Sequence, residues 1–303
     1  MYKQNYFKYL TAGEDDINWG MYITVTGVAT TLKNSEYPSR EHPNGYYFTW
    51  SKGRILQEYQ ILYITEGSGI FENKYGNFKV NSGDVIILFP GEWHRYCPNK
   101  QTGWKEHYLG FNGAFAENIL SLPPFSKEEP VLSVGFNVQL LDLYCQVIET
   151  VHNERAGYQQ ICAGITMTIL AQINALIKYK DFEGKEVELK VRKACIFLRE
   201  NLDKQINVEE IAEKLNIGYS HFRKMFKKYT GLSPVQYHFQ LRMKHAYDML
   251  VSTDKSVKMI AYDLGFQSLF YFTKVFKQKT GMTPTDVRKM NKKQKEETMM
   301  QKN

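Results

Sequence analysis

IAYDLGFQSLFYFTKVFKQKTGMTP, from Ile260 to Pro284, is the stretch whose reading decides the fold. It has a likeness in the same chain: IAEKLNIGYSHFRKMFKKYTGLSP, from Ile211 to Pro234. At an offset of 49 residues, Ile211, Ala212 and Leu215 match Ile260, Ala261 and Leu264. At an offset of 50, Phe222, Lys224, Phe226, Lys227, Thr230, Gly231 and Pro234 match Phe272, Lys274, Phe276, Lys277, Thr280, Gly281 and Pro284. The one-residue slip falls in a turn, where a change of length is tolerated.

Each copy makes physical sense as a helix-turn-helix unit, at about 208–229 and 257–280. A short helix buries I-A-x-x-L. A tight turn follows (Asn216-Ile217-Gly218; Leu264-Gly265-Phe266). A second helix then turns aromatic residues inward at i and i+4 and leaves a polar, basic face free to enter a major groove. Gly231 and Gly281 predict left-handed caps at the ends of these helices. Asn207 with Glu210, Ser233-Pro234 with Gln236, and Thr283-Pro284 with Asp286 predict helix starts. A connecting helix from Pro234 to about Leu250, with Tyr237, Leu241, His245 and Leu250 at helical spacing, would fix the separation of the two units. Recognition helices one duplex turn apart, ~34 Å, could both read one face of DNA. A plain helical bundle with a basic surface does not explain a repeat that keeps turn, cap and basic face together.

Working outward, charge follows the same division. From Lys185 onward there are 24 Lys+Arg against 13 Asp+Glu; the rest of the 303 residues carries 15 against 19. Only the second part is suited to meet a polyanion. Hydrophobic content of 43% and charged content of 23% fit a folded chain rather than a disordered one. No apolar run of the ~18 residues needed by a membrane helix is evident, and the N-terminus lacks a signal-peptide h-region; the expectation is a cytoplasmic protein with no membrane partner. Cys97, Cys145, Cys162 and Cys195 form no C-x-x-C pair, so neither a disulfide framework nor a zinc site is expected.

The region from Gly265 to Pro284 reads GF-x-S-x-x-YF-x-x-x-F-K-x-x-x-G-x-T-P, and on it the chain resembles the AraC/XylS family of bacterial transcription regulators. The resemblance covers about a hundred residues. It implies an all-α domain of seven helices with two helix-turn-helix motifs, double-stranded operator or promoter DNA as partner, RNA polymerase as a further partner, and activation as the usual mode. Carried over by position, Ser220, His221, Arg223 and Lys224 form the first base-reading face. Ser268, Leu269, Phe270, Thr273 and Lys274 form the second. Lys227, Lys228, Lys277 and Lys279 suit phosphates. Leu269 and Phe270 are apolar where polar residues often stand; each either touches a thymine methyl or packs on the protein.

The N-terminal part reads differently. From Tyr46 to about Phe111, short β-branched and aromatic runs alternate with turns at Glu66–Gly69, Lys74–Asn77 and Asn81–Asp84, which suggests a barrel or sandwich. GDVIILFPGEWHRY, from Gly83 to Tyr96, resembles the second motif of cupin barrels. The His-x-His and Glu of the first motif have no counterpart near Gly67–Glu72, so no metal and no cofactor are expected. This implies a cupin-like β-barrel (jelly roll) that binds an effector. Arg54, Tyr63, His94, Tyr96, Trp104 and Glu106 are its candidate ligand contacts, and Trp50, Trp93, His107 and Tyr108 lie near them. Aromatic faces with a few charged hydrogen-bonders suit a sugar; the alternative is that these rings fill the barrel. Two amphipathic runs, Val138–Val151 and Ile161–Ile177, predict a helical hairpin that either packs on a second copy, making a homodimer, or caps the barrel.

The expected architecture is therefore α+β in two domains. An effector domain spans 1–133 and a helical hairpin with linker spans 134–182. The DNA-binding domain spans 183–290, and a flexible tail spans 291–303. Three function classes follow: a regulator responding to a small molecule, a cupin enzyme, and a constitutive DNA-binding protein. The first is favoured; a cupin enzyme needs a metal triad or an acid/base pair, and the metal ligands of the first cupin motif are missing.

Overall fold

The computed structural model describes residues 5–35, 37–38, 48–180 and 184–300. It divides into two compact units after Asp181. A linker is expected over 180–185; its middle, 181–183, and the expected start of β structure at Tyr46 lie outside the described residues, while Lys180 ends one helix and Gly184 begins the next.

The first unit contains β1 (Tyr6–Tyr9), α1 (Glu14–Asn18), β2 (Tyr22–Thr31), β3 (Arg54–Ile55), β4 (Tyr59–Asn73), β5 (Gly76–Asn81), β6 (Asp84–Leu88), β7 (Trp93–Pro98), β8 (Trp104–Asn112), α2 (Ala114–Leu120), β9 (Val131–Ser133), α3 (Val138–Asn153) and α4 (Tyr158–Lys180). All pairings are antiparallel, and the main path runs β1-β2-β8-β4-β6-β9. The long strand β4 belongs to two sheets. Its first half pairs with β6 and β8, and its second half with β5 and β7. The bend replaces the turn expected at Glu66–Gly69. The β4–β8 register shifts between Ile64 and Glu66, and Gly67 has φ +79, with Gly103 O only 2.1 Å from where a Cβ would stand. A glycine at a bulge lets the strand change sheets without breaking its ladder. Strands β1 and β2 lie before the region expected to be β, although Tyr22–Thr31 carries the β-branched run YITVTGVATT.

Alternation along β4 sorts side chains to two faces. Ile61 and Tyr63 enter one core with Leu140, Tyr144, Val147, Ile169 and Ile173 of the helical hairpin; Leu62 and Ile64 enter a second with Phe71, Tyr96, Trp104 and Tyr108. The hairpin thus packs on the first face of the sheet. Buried Gln159 locks α4 there, accepting from Ile23 N at 2.9 Å and donating to Ile23 O at 3.0 Å. Contrary to the sequence-based expectation, α4 is long and apolar enough to cross a membrane by length and composition alone. In the structure Cys162, Thr166, Ile169 and Ile173 are buried. Its far side leaves Ile161, Gly164, Thr168, Ala171 and Ala175 exposed.

The second unit is helical: α5 (Gly184–Glu200), α6 (Val208–Lys214), α7 (Tyr219–Thr230), α8 (Pro234–Ser252), α9 (Val257–Asp263), α10 (Leu269–Thr280) and α11 (Pro284–Met300). It has two cores that mirror the repeat. Ile211, Ala212, Phe222 and Phe226 pack with Val191 and Leu198 of α5. Ile260, Ala261, Phe272 and Phe276 pack with Met243, Ala246 and Leu250 of α8 and Val287 of α11. The buried stripe of α8 is Pro234, His238, Met243, Ala246 and Leu250; of the four residues noted at helical spacing, Leu250 is buried, Tyr237 and Leu241 are half-buried and His245 is exposed. The stretch from Asn291 expected to be a flexible tail continues α11 to Met300; no glycine or proline interrupts it.

Candidate nucleic-acid interface and effector site

The two helix-turn-helix units share their local chemistry. Asn216 (φ +48) and Gly265 (φ +70) occupy the left-handed position of the two turns. Gly265 is obligatory for a second reason: a Cβ there would stand 2.0 Å from Asp203 O. Arg242 of α8, absent from the sequence-based reading, holds this turn; its guanidinium lies 4.0 Å over the Phe266 ring and donates to Leu264 O. Gly231 (φ +79) and Gly281 (φ +83) cap α7 and α10 as expected. Thr230 and Thr280 donate to Phe226 O and Phe276 O, each at 2.8 Å. Ser233 and Gln236 form the expected capping box. Asn207 caps α6, but Glu210 meets its side-chain amide at 3.1 Å rather than its backbone.

On α7, Phe222, Met225 and Phe226 are buried, and Ser220, His221, Arg223, Lys224, Lys227 and Lys228 are all exposed on the opposite side. Arg223 donates to Tyr219 OH at 3.3 Å and lies over its ring. On α10, Phe272 and Phe276 are buried, Lys274, Lys277 and Lys279 are exposed and Thr273 is half-buried. Two expectations change here. The Ser268 hydroxyl accepts from Tyr271 N as the N-cap of α10, so its first duty is to start the helix. Phe270 does not pack on the protein: it is 79% exposed, beside Tyr271 at 55%.

The first unit holds a second polar cluster, deep in the core that β4 shares with β7 and β8. Arg54 on β3 donates from Nε to His94 Nε2 at 3.2 Å and from Nη2 to Tyr96 OH at 2.6 Å. Its guanidinium lies 5.0 Å from the Phe48 ring centroid and 5.3 Å from that of Tyr96. His94 Nδ1 meets Glu92 O at 3.1 Å, so Nδ1 carries the proton and the ring is neutral. Burial, and secondarily the charge of Arg54, push His94 down to about 3. Burial pushes the Glu106 carboxyl up to about 7, against the pull of Arg54, and raises Tyr96 to about 12. Among the described residues none hydrogen-bonds to the buried Glu106 Oε2 or to Trp104 Nε1. A small cavity of about 30 Å³ lies against Arg54, Glu106, Tyr96, Tyr37 and Phe48, beside an open one of about 880 Å³ lined by Tyr37, Phe48, Trp50, Tyr96 and Asn99.

The structure therefore brings together Arg54, His94, Tyr96 and Glu106, with Trp104 touching Tyr96 at 5.8 Å between ring centroids. Tyr63, expected among the ligand contacts, does not belong to this cluster. It faces the hairpin, where its hydroxyl donates to Gly135 O at 3.0 Å and accepts from Asn137 N at 2.8 Å, because alternation along β4 turns it away. His107 likewise packs beside Tyr144. The sequence reading missed Tyr37, Phe48, Glu58 and Gln60. Tyr37 and Phe48 lie between strands and carry no periodic signal; Glu58 and Gln60, joined at 2.6 Å, are polar residues at buried positions. No group of three or more His, Cys, Asp or Glu able to hold a metal occurs among the described residues.

Residues 211–290 match a family model described as a helix-turn-helix domain, and residues 34–170 match one described as an AraC-like ligand binding domain. The chain is 25% identical to the lactose operon transcription activator of Staphylococcus xylosus over 77% of this chain and 83% of that one. It is 26% identical to the msm operon regulatory protein of Streptococcus mutans serotype c over 85% and 92%. Among solved structures it resembles the DNA-binding domain of AdpA in complex with a target DNA, with 25% identity, a TM-score of 0.33, and coverage of 35% of this chain and 95% of that one.

Proposed function

Because the chain belongs to the AraC family of DNA-binding transcription regulators, with a ligand-binding domain ahead of its helix-turn-helix domain, we propose that it activates an operon in response to a neutral sugar bound in its N-terminal domain. The observation that carries this reading is the buried Arg54–Glu106 cluster. Among the described residues none hydrogen-bonds to the buried Glu106 Oε2, which lies beside a cavity walled by Tyr37, Phe48 and Tyr96. A buried polar atom without a partner is costly. A carboxyl that titrates near 7 can donate to one hydroxyl while Arg54 donates to another. Tyr96, Phe48 and Tyr37 supply ring faces for sugar C–H groups. An anionic ligand would meet the carboxyl unfavourably above pH 7. The relative named for a lactose operon supports the sugar class and the activating direction.

The two-sheet domain closes as a cupin-like jelly roll. The domains follow the limits 1–133, 134–182 and 183–290, and the DNA-binding domain is the seven-helix type. The protein works in the cytoplasm as a homodimer through the exposed side of α4, while the other side of α4 caps the sheet. The two roles expected of the hairpin are thus compatible. Ser220, His221, Arg223, Lys224, Lys227 and Lys228 on α7 and Ser268, Leu269, Phe270, Thr273, Lys274 and Lys277 on α10 meet operator DNA, and RNA polymerase is the downstream partner. Sugar must favour one arrangement of the subunits over another to switch transcription.

The test is a thermal-shift screen of the full chain against mono- and oligosaccharides. A ligand at a hundred times its Kd stabilises by about 2.7 kcal/mol, which raises Tm by roughly 5–10 °C for a domain of this size. Arg54→Ala should abolish the response. If no sugar moves Tm, the sensor reading fails, and the constitutive DNA-binding alternative takes its place.

A further inference from the structure

Phe270 stands at the second position of α10, and at the matching position of α7 stands Ser220. Both helices have twelve residues, end on a left-handed glycine and bury Phe at the same two positions, so the register is unambiguous. Yet Phe270 is 79% exposed. An aromatic ring left in water beside lysines is suited to a partner that is anionic as a whole and apolar at one spot. On a helix, positions 270, 273, 274 and 277 share one side, which places Thr273, Lys274 and Lys277 behind Phe270 on the same stripe. DNA offers that combination in its major groove: phosphates flank it, and thymine is the base that presents a methyl group there.

We propose that Phe270 is the base-reading tip of α10 and that it covers the C5 methyls of one or two adjacent thymines. This rests on the reading of α10 as a DNA-recognition helix. The two half-sites are then read by different chemistry. Arg223 and Lys224 on α7 read hydrogen-bonding edges, whereas α10 reads methyl groups and is held in register by Lys274 and Lys277 on phosphates.

The experiment uses the full chain and a randomised duplex library, from which the preferred duplex is selected. Each thymine of that duplex is then replaced singly by deoxyuridine, which removes the methyl and leaves the pairing edge intact. Affinities are measured by fluorescence anisotropy at fixed salt. One or two neighbouring replacements should weaken the wild-type protein about fourfold each, the worth of one buried methyl. The same replacements should have no effect on Phe270→Ala or Phe270→Ser, and should keep their effect on Tyr271→Ala. Equal effects in wild type and both Phe270 variants, or no effect of any replacement, overturn the proposal. A library that enriches no sequence overturns the DNA-reading of α10 itself, a different and recognisable failure. Circular dichroism checks that the Phe270 variants remain folded, as a side chain this exposed should allow.

Discussion

Replacing Glu106 by Gln should change how stability depends on pH more than it changes stability at any one pH. The Glu106 carboxyl is buried and held near 7 instead of 4.5, with Arg54 only partly offsetting burial. Below pH 4.5 the group is neutral in both the folded and the unfolded chain, and contributes nothing. Between 4.5 and 7 the unfolded chain ionises while the folded protein keeps the proton. The folded state then binds more protons, so stability falls as pH rises. Above 7 the loss is complete, at about 3 kcal/mol for a group displaced this far. Glu106→Gln removes that slope, so the variant should gain on the wild type by up to about 3 kcal/mol between pH 5 and pH 8. His94 and His107, pushed down to about 3 and about 4 by burial, act in the opposite sense. They cost stability as pH falls below 6.5, equally in both proteins, and cancel in the comparison. The assay is urea unfolding followed by tryptophan fluorescence. Trp19, Trp50, Trp93 and Trp104 all lie in the N-terminal unit, so the signal reports that unit alone. Parallel pH curves for the two proteins would refute the placement of a neutral carboxyl in this core.

Tyr63→Phe should lower stability by about 1–2 kcal/mol in the same unfolding assay, because two hydrogen bonds at the foot of α3 are lost, while any sugar response stays intact; loss of that response would return Tyr63 to the effector site. Gly265→Ala should cost about 3 kcal/mol or more, since a Cβ meets Asp203 O and φ is +70, whereas Asn216→Gly at the matching turn should be near neutral; far-UV circular dichroism melts compare them. Arg223→Ala should lose at least about tenfold in operator affinity with little change on unrelated DNA. Lys228→Ala should weaken both alike and reduce the salt slope by about one. Unchanged operator affinity for Arg223→Ala at fixed salt would show the first reading face to be misplaced.

Local signals carried most of the helical unit. The caps at Ser233 and Thr283, the glycines at 231 and 281, and the paired phenylalanines of α7 and α10 are all statements about neighbouring residues. The sequence therefore announces them, and the repeat announces them twice. The polar face of α7 followed from the same periodicity. The long connector α8 was legible as a helix but not in its buried stripe, since Met243, Ala246 and Leu250 are chosen by what α9, α10 and α11 press against it. The β unit was less legible. Short runs separated by Gly-rich stretches look like separate strands, and Glu66–Gly69 looked like a turn, although β4 passes through it from one sheet into another.

The sequence by itself determined two helix-turn-helix units, a basic reading face and a β domain with a helical hairpin, because each depends on contacts three or four residues apart or on alternation. Only the tertiary structure decided which aromatic and charged residues share a cavity. Tyr63 and Tyr96 differ by the phase of their strands, which no local pattern specifies. Arg54, His94, Tyr96 and Glu106 come from three strands whose pairing is set by long-range register. The same holds for Phe270: its spacing allowed it to pack or to project, and the exposed ring on α10 resolved the choice, since Phe266, Phe272 and Phe276 already fill the core beneath it.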